Sequence, residues 1–313
     1  SVSTRNPMKK TIKIGTRDSE LALWQANRVK SLLEADGYQT EIVAVKSQGD
    51  LLLDKPIHQL GITGVFTKTL DIAMLNGTVD IVVHSMKDVP TQLPNGIVKG
   101  AVLKRANPKD LLIQKEKPKV LPKQATIATG SLRRKAQWLN KYPQHEVANI
   151  RGNVQTRLQK LHDSQWHGAI FAAAGLERIN LRPETTMELD WMIPAPAQGA
   201  MLVVALEHDD YSRKALERLN DYQTDICTTV EREFLRTLEG GCSAPIGALA
   251  TIDIDYLTLV AGLFSLDGKQ KVTVEKKVLI ENCEGLGHLS ALEVLKQGGE
   301  AIMKVIRKDL NLK

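Results

Sequence analysis

Aromatic residues are scarce in this 313-residue chain: four Trp, five Tyr and four Phe make up 4%. That count is against a single-stranded nucleic-acid binder, which stacks bases on aromatic rings, and no run of five or more basic residues supplies an alternative footing. No nucleic-acid partner is expected. No apolar stretch reaches the roughly 18 uncharged residues that a membrane span needs, and no charged-then-apolar export pattern opens the chain. The expectation is a cytoplasmic protein with no membrane partner. Met8-Lys9-Lys10 resembles a natural start, which sets Ser1 to Pro7 aside from the fold reading.

Cysteine is equally sparse. Cys227, Cys242 and Cys283 lie too far apart for a CxxC pair, and the odd count fits a reducing compartment. The seven histidines form no HExxH, and none stands at short ligand spacing from a cysteine, so no metal is expected. A GxxxxGK[ST] phosphate loop is also missing; Asp267-Gly268-Lys269 reads as a turn.

What is present is ordinary globular material. Charged residues are 25%, hydrophobic residues 42% and the net charge +6, which argues against disorder and coiled coil. The length allows two or three domains. A modest positive excess with few aromatics points to a small anionic ligand.

Up to about residue 200 one grammar repeats: a short β-branched run, a Gly/Ser/Thr/Asn turn, then apolar residues at helical spacing. Ile12 to Ile14 leads through Gly15-Thr16-Arg17 to a helix face of Ala22, Ala26, Val29 and Leu33. Thr126 to Thr129 leads through Gly130-Ser131 to Leu132, Ala136 and Leu139. Val147 to Ile150 leads through Arg151-Gly152-Asn153 to Val154, Leu158 and Leu161. Val79 to Val83 and Ala169 to Ala172 are apolar enough to be strands buried on both faces. The lysine- and proline-rich stretch from Lys104 to Lys123 suggests a hinge, with a boundary near 104. After about 223 the pattern becomes α+β. A helix is expected from Cys227 to Leu238, an alternating strand over Thr251–Leu257, and a hairpin joining Leu259–Leu266 to Lys271–Ile280 across Asp267-Gly268. Leu289 to Leu310 should be helical with a break at Gly298-Gly299.

Arg17, Arg133, Arg134 and Arg151 all fall where a strand hands over to a helix, and Arg157 lies on the helix after Arg151. In open α/β sheets ligands gather at that end, and guanidinium forks match carboxylates. Any one of these arginines could be solvated surface charge; their recurrence at one structural position favours a polyanion site. Lys87 and Asp88 follow a buried strand in His84-Ser85-Met86-Lys87-Asp88-Val89-Pro90, and Pro90 keeps them on a loop. Asp88 could exchange protons or stabilise a cation there, although spacing alone favours an ordinary salt bridge. Cys242 stands between Gly240-Gly241 and Pro245, where backbone can approach a ligand closely. Spacing alone leaves its function open, whereas Cys227 and Cys283 read as packing residues.

Taken together, these strings resemble the porphobilinogen deaminase (hydroxymethylbilane synthase) family. The resemblance is carried by Thr16 to Ala26, His84 to Pro90, Ser131 to Arg134, Arg151 to Val154, Pro196 to Ala200 and Glu239 to Pro245, and it covers residues 10 to 313. It implies a transferase of tetrapyrrole biosynthesis that condenses four porphobilinogen units head to tail into hydroxymethylbilane, releasing ammonia. It also implies a dipyrromethane cofactor joined by a thioether to Cys242. By the same resemblance Asp88 is the catalytic carboxylate. Lys87, Asp88, Ser131, Arg133 and Arg134 are cofactor contacts, while Arg17, Ser19, Arg151, Arg157 and Gln198 meet the substrate. Each pyrrole carries an acetate and a propionate, which gives the arginines their anion.

The implied fold is α/β: two domains like type II periplasmic binding proteins, hinged over a cleft, and a small C-terminal α+β domain with an antiparallel sheet. The divisions are 1–103 with 199–222, then 104–198, then 223–313, and a monomer is expected. Several positions depart from the family pattern: Glu20 for a common proline, Ala128 and Gly130 for Thr and Ser, Ala197 for a glycine, and Thr69 for a frequent glutamate. Ile62-Thr63 replaces a usual lysine, so the Leu60–Gly64 loop is expected to shield the cleft rather than bind a carboxylate. The competing expectation is a non-catalytic, two-domain anion-binding protein, since such folds also serve transport.

Overall fold

The computed structural model describes residues 10–46, 67–117, 119–184, 186–238 and 244–311. The expectations for Leu60–Gly64 and for Cys242 lie outside the described residues.

The first unit begins with β1 (Ile12–Thr16), α1 (Glu20–Ala35), β2 (Thr40–Ala44), α2 (Lys68–Leu75), β3 (Ile81–Ser85) and β4 (Ile97–Val102). Ser19 caps α1 by accepting from the Ala22 N–H, and Gln25, Ala26, Val29 and Leu33 form its buried face. The expected apolar stripe is therefore the packed one, apart from Ala22, which borders the cavity described below. A second set follows: β5 (Asp110–Ile113), β6 (Thr126–Ala128), α3 (Leu132–Lys141), β7 (Glu146–Ala148), α4 (Val154–Asp163), β8 (Gly168–Ala172), α5 (Ala173–Arg178) and β9 (Met187–Glu188). The chain then returns through β10 (Met201–Leu206) and α6 (Asp210–Glu217) to the first sheet.

Both sheets follow one plan. The orders are β2-β1-β3-β10-β4 and β7-β6-β8-β5-β9. In each, three parallel strands are followed by a strand antiparallel to both its neighbours. β10 fills that place in the first sheet and β5 in the second, so the chain crosses between the units twice. Each sheet has apolar clusters on both faces: α1 and α6 against α2 in the first unit, α4 and α5 against α3 in the second. This agrees with the α/β layers expected from the strand–turn–helix grammar.

The two crossings touch. Leu103 N–H donates to Met201 O and Ala106 N–H to Gly199 O. Gly199 has φ +87°, and a Cβ there would stand 2.8 Å from Ala106 O, so glycine is needed for this approach. Ala197, two residues earlier and buried, also takes a left-handed φ of +67°. There the family's usual glycine would sit without strain.

The third unit packs α7 (Tyr222–Thr237), α8 (Leu286–Val294) and α9 (Glu300–Asp309) on an antiparallel sheet of β11 (Ile246–Asp253), β12 (Tyr256–Phe264) and β13 (Lys271–Leu279). Helix α7 starts at Tyr222, earlier than the expected Cys227, with Asp221 as its cap. The α8–α9 break falls where expected, with Gly298 at φ +116°. The β12–β13 turn holds Gly268 at φ +74°. Two expectations fail. The stretch from Lys104 to Lys123 is not hinge throughout, since it holds the buried strand β5 between β8 and β9. Thr251–Leu257 is not a continuous strand: Asp253 pairs with Tyr256 across a two-residue turn, and Ile254 adopts φ +53°. Alternation hides this turn, because a β-branched residue is the last expected in a left-handed conformation.

Candidate active site

A cavity of about 340 Å³ opens between the two larger units and the third. Every site residue expected from the sequence that is among the described residues lines it. On either side of Cys242 in sequence, Leu235 and Ala244 line it too.

Local chemistry explains the convergence. Arg17 follows β1, Arg151 is the third residue after β7, and Ser131 and Asn153 cap α3 and α4 by accepting from Arg134 N–H and Thr156 N–H. The strand ends and helix starts thus place N–H groups and guanidinium groups along one rim. Ser19 and Ser131 use an oxygen lone pair for capping, which leaves their hydroxyl protons for a ligand. After β3 the chain makes a single 3-10 turn over Met86–Asp88, and Val89 is extended, as the following Pro90 requires. Lys87 and Asp88 therefore stand on the short turn at the strand's carboxyl end.

The electrostatics are one-sided. Asp88 is the acidic group felt by Arg17, Lys87, Arg134, Arg151 and Arg157 together. Burial, then the positive charge of Arg134, pushes Lys87 down to about 8. Burial, then Arg134 and Arg151, pushes Arg157 down to about 10. The Arg157 guanidinium lies 4.9 Å from the Phe171 ring centre. Its Nε and that of Arg151 are buried without a hydrogen-bond partner. Two buried donors without partners among like charges are costly, and their chemistry suits an anion. His84 is also cavity-lining, held near 4 by burial and by Arg17.

Arg133 and Gln198 stand differently. Arg133 Nη1 donates to Asp110 Oδ2 and Ile193 O, and its Nη2 to Asp110 Oδ1 and Gln198 Oε1. Gln198 Nε2 donates to Pro108 O and Asp110 Oδ1. These groups form the cavity's floor through protein bonds, so Arg133 has only Nε left to offer a ligand.

Sequence reasoning missed four residues here. Asp110 holds Arg133 and Arg134 from the start of β5. Arg178 lines the cavity at the end of α5, donates to Gly199 O and is pushed down to about 10 by burial. From α7, Arg232 donates to Met86 O, Val89 O and Pro90 O, gripping the turn that carries Asp88. Beside it, Glu231 holds Arg105 and the Ala197 N–H. Only Arg178, placed after a buried strand in the repeated grammar, carried a signal that could have been read. Cys227 and Cys283 are free thiols in or against the third unit's core, and burial pushes Cys227 up to about 12.

Comparison with known proteins gives two family matches. The profile described as "Porphobilinogen deaminase, dipyromethane cofactor binding domain" matches residues 12–214, and "Porphobilinogen deaminase, C-terminal domain" matches residues 226–296. Among relatives, a porphobilinogen deaminase of Chlorobium phaeobacteroides is 39% identical over 311 residues, covering 96% of this chain and 99% of that protein. One from Trichlorobacter lovleyi is 42% identical over 300 residues, covering 94% and 96%. One from Francisella tularensis subsp. novicida is 39% identical, covering 94% and 99%. Among solved structures, a methionine binding protein is 14% identical with a TM-score of 0.43, covering 67% of this chain and 89% of that one. A probable amino-acid ABC transporter extracellular-binding protein from Bacillus subtilis is 12% identical with a TM-score of 0.42, covering 67% and 90%.

Proposed function

The chain belongs to the porphobilinogen deaminase family, and on that footing we propose how its residues divide the work. It is a transferase of tetrapyrrole biosynthesis: four porphobilinogen molecules are joined head to tail into hydroxymethylbilane, and ammonia leaves at each joining. A purely anion-binding role would leave Asp88 without a task.

The observation that carries the assignment of roles is the pair of buried, partnerless Nε groups on Arg151 and Arg157, in a cavity whose wall also bears Arg17, Lys87 and Arg134. A dipyrromethane bears four carboxylates, and this donor set fits it and an incoming pyrrole diacid alike. When bound, the cofactor supplies the terminal pyrrole carbon on which each new unit is joined. Lys87, Ser131 and Arg134 hold its carboxylates, with Arg133 bracing them from behind. Arg17, Ser19, Arg151 and Arg157 take the carboxylates of the incoming porphobilinogen and the growing chain, and Gln198 braces that side. Cys242 carries the thioether.

Asp88 is the catalytic residue. When the aminomethyl group of porphobilinogen loses ammonia, positive charge develops on the ring, and a fixed carboxylate stabilises it. The same carboxylate can accept the proton released when the new carbon–carbon bond has formed.

The active form is a monomer, supported by a site whose described residues all come from one chain. The three divisions at 103/104, 198/199 and 222/223 are its domains, supported by the two crossings and the change of sheet. A cytoplasmic setting is supported by the free thiols of Cys227 and Cys283. Among the described residues no helix is long and apolar enough to cross a membrane. Intact-mass analysis of protein made in cells tests the assignment. An adduct of two linked pyrroles mapping to Cys242, together with turnover of porphobilinogen, is expected. An unmodified thiol in active protein would overturn it.

A further inference from the structure

Two consecutive arginines in the first turn of α3 are electrostatically misplaced. Arg133 and Arg134 repel each other, and both sit at the positive end of the helix dipole, where carboxylates are favoured. Both are buried. Their compensation comes from Asp110, 0% exposed at the start of β5. Its Oδ1 accepts from Arg134 Nε at 2.9 Å, Arg133 Nη2 at 3.2 Å and Gln198 Nε2 at 3.1 Å, and its Oδ2 accepts from Arg133 Nη1 at 2.8 Å.

An ionised carboxylate offers about four acceptor sites, and Asp110 accepts four bonds, three of them on Oδ1. Despite its burial, the charges of Arg133 and Arg134 hold its carboxyl far below the usual range. It is a poor proton acceptor and does not line the cavity, so it is no ligand contact. Its bonds are unequal in consequence. Arg133 has both Nη groups committed to protein acceptors. Arg134 gives Nε to Asp110 and Nη1 to Ile170 O at 3.4 Å, while its Nη2 bonds to no described residue and the side chain lines the cavity.

We propose that Asp110 is a positioning residue that aims Arg134 at a cofactor carboxylate. It fixes the guanidinium plane through Nε and uses Arg133 and Gln198 as braces, so the outer fork is set before the anion arrives. This rests on the assignment of Arg134 as a cofactor contact. It adds that the aim comes from Asp110, and that a neutral, isosteric replacement removes it.

The test is intact-mass analysis of full-length protein made in cells, reading the fraction that carries the two-pyrrole adduct. In Asp110→Asn the loaded fraction should fall at least tenfold. Glu231→Gln, which breaks another buried pair at the same crossing but makes no contact with Arg134, is the control for lost stability alone. Equal adduct loss in both variants at equal loss of melting temperature would overturn the proposal. Should Asp110→Asn fail to fold, Arg134→Gln decides: it leaves Asp110 bonded to Arg133 and Gln198, should melt near its parent when both carry Cys242→Ser, and with Cys242 present should lose the adduct to the same extent. Full loading of Arg134→Gln would overturn the proposal. Wild-type protein without the adduct would instead overturn the cofactor assignment beneath it.

Discussion

Arg105 and Glu231 form a two-point ion pair, Nη1 to Oε2 at 2.6 Å and Nη2 to Oε1 at 2.9 Å, joining the first chain crossing to α7. Glu231, 0% exposed, also accepts from the N–H groups of Ala197 and Ala250. One carboxylate thus ties both crossings to the sheet of the third unit. Its neighbour Arg232 holds the turn bearing Asp88. Helix α7 fixes the turn bearing Asp88 and the two crossings from consecutive positions.

Glu231→Gln should therefore be strongly destabilising. It leaves the Arg105 guanidinium buried without its counter-charge and turns an amide NH2 toward existing donors. Breaking a buried pair from one side costs about 3–5 kcal/mol. Urea unfolding monitored by far-UV circular dichroism measures this, and a loss below about 1 kcal/mol would show that the pair is dispensable.

Asp88→Asn tests the chemistry separately from the fold. Among the described residues the Asp88 side chain makes no capping or core contact, so the melting temperature should stay within a few degrees of wild type. Losing the charge that stabilises the cation and accepts the proton should lower kcat by about 10²–10⁴-fold. Steady-state release of ammonia is the measurement, and near-normal turnover contradicts the role given to Asp88.

These two residues also mark what the sequence could reveal. The places of Asp88, Arg17 and Arg151 were legible because strand–turn–helix grammar puts residues just after a strand at the sheet's carboxyl edge, a local fact, whereas the role of Asp88 rested on the family resemblance. Glu231 and Asp110 were not, because their partners lie 126 and 23 to 88 residues away, and nothing in Lys109-Asp110-Leu111 distinguishes a buried brace from a strand's polar first residue. Ser19 and Ser131 were read as ligand contacts, and their capping role shows why a serine belongs there in any case. Gln198 was expected at the cleft, and its buried bonds to Pro108 and Asp110 make it part of the floor.

His84 should shape the acid side of stability. Burial, then Arg17, lowers its folded value from 6.5 to about 4. Between those two values the unfolded chain binds a proton that the native chain refuses, so stability rises with pH from about 4 to 6.5 and is lost as pH falls. A shift of this size corresponds to about 3 kcal/mol. Urea midpoints measured from pH 4 to pH 7 should show a shallower slope in His84→Gln than in wild type. Parallel slopes would show that other groups govern acid unfolding.

Ile254 is a local misfit of the opposite kind, with a cost and no partner to explain it. It is 84% exposed and holds φ +53° in the β11–β12 turn. A left-handed conformation costs an L-residue about 1–2 kcal/mol, and asparagine tolerates it better. Ile254→Asn should stabilise the protein by about 1 kcal/mol in thermal or urea unfolding, with turnover unchanged. A decrease in stability would mean that the Ile254 side chain packs in solution.

Arg157 sets stability against function. Its guanidinium is buried beside Arg134 and Arg151, and its Nε has no partner. An unsatisfied buried donor costs about 1–3 kcal/mol, more when it is charged. Against this stands the contact with the Phe171 ring, worth about 1–2 kcal/mol once desolvated. Arg157→Leu keeps apolar contact with Phe171 and removes both the repulsion and the orphaned donor. The variant should therefore be as stable as its parent or more so by about 1–2 kcal/mol. This must be measured with Cys242→Ser in both proteins, so that cofactor binding does not stabilise one alone. In the Cys242 form, KM for porphobilinogen should rise at least tenfold, because the lost group is the carboxylate partner proposed above. A variant that loses stability while keeping its KM would make Arg157 a structural residue. The expected pattern, stability kept and affinity lost, is that of a charge retained at a cost to the fold for the anion it receives.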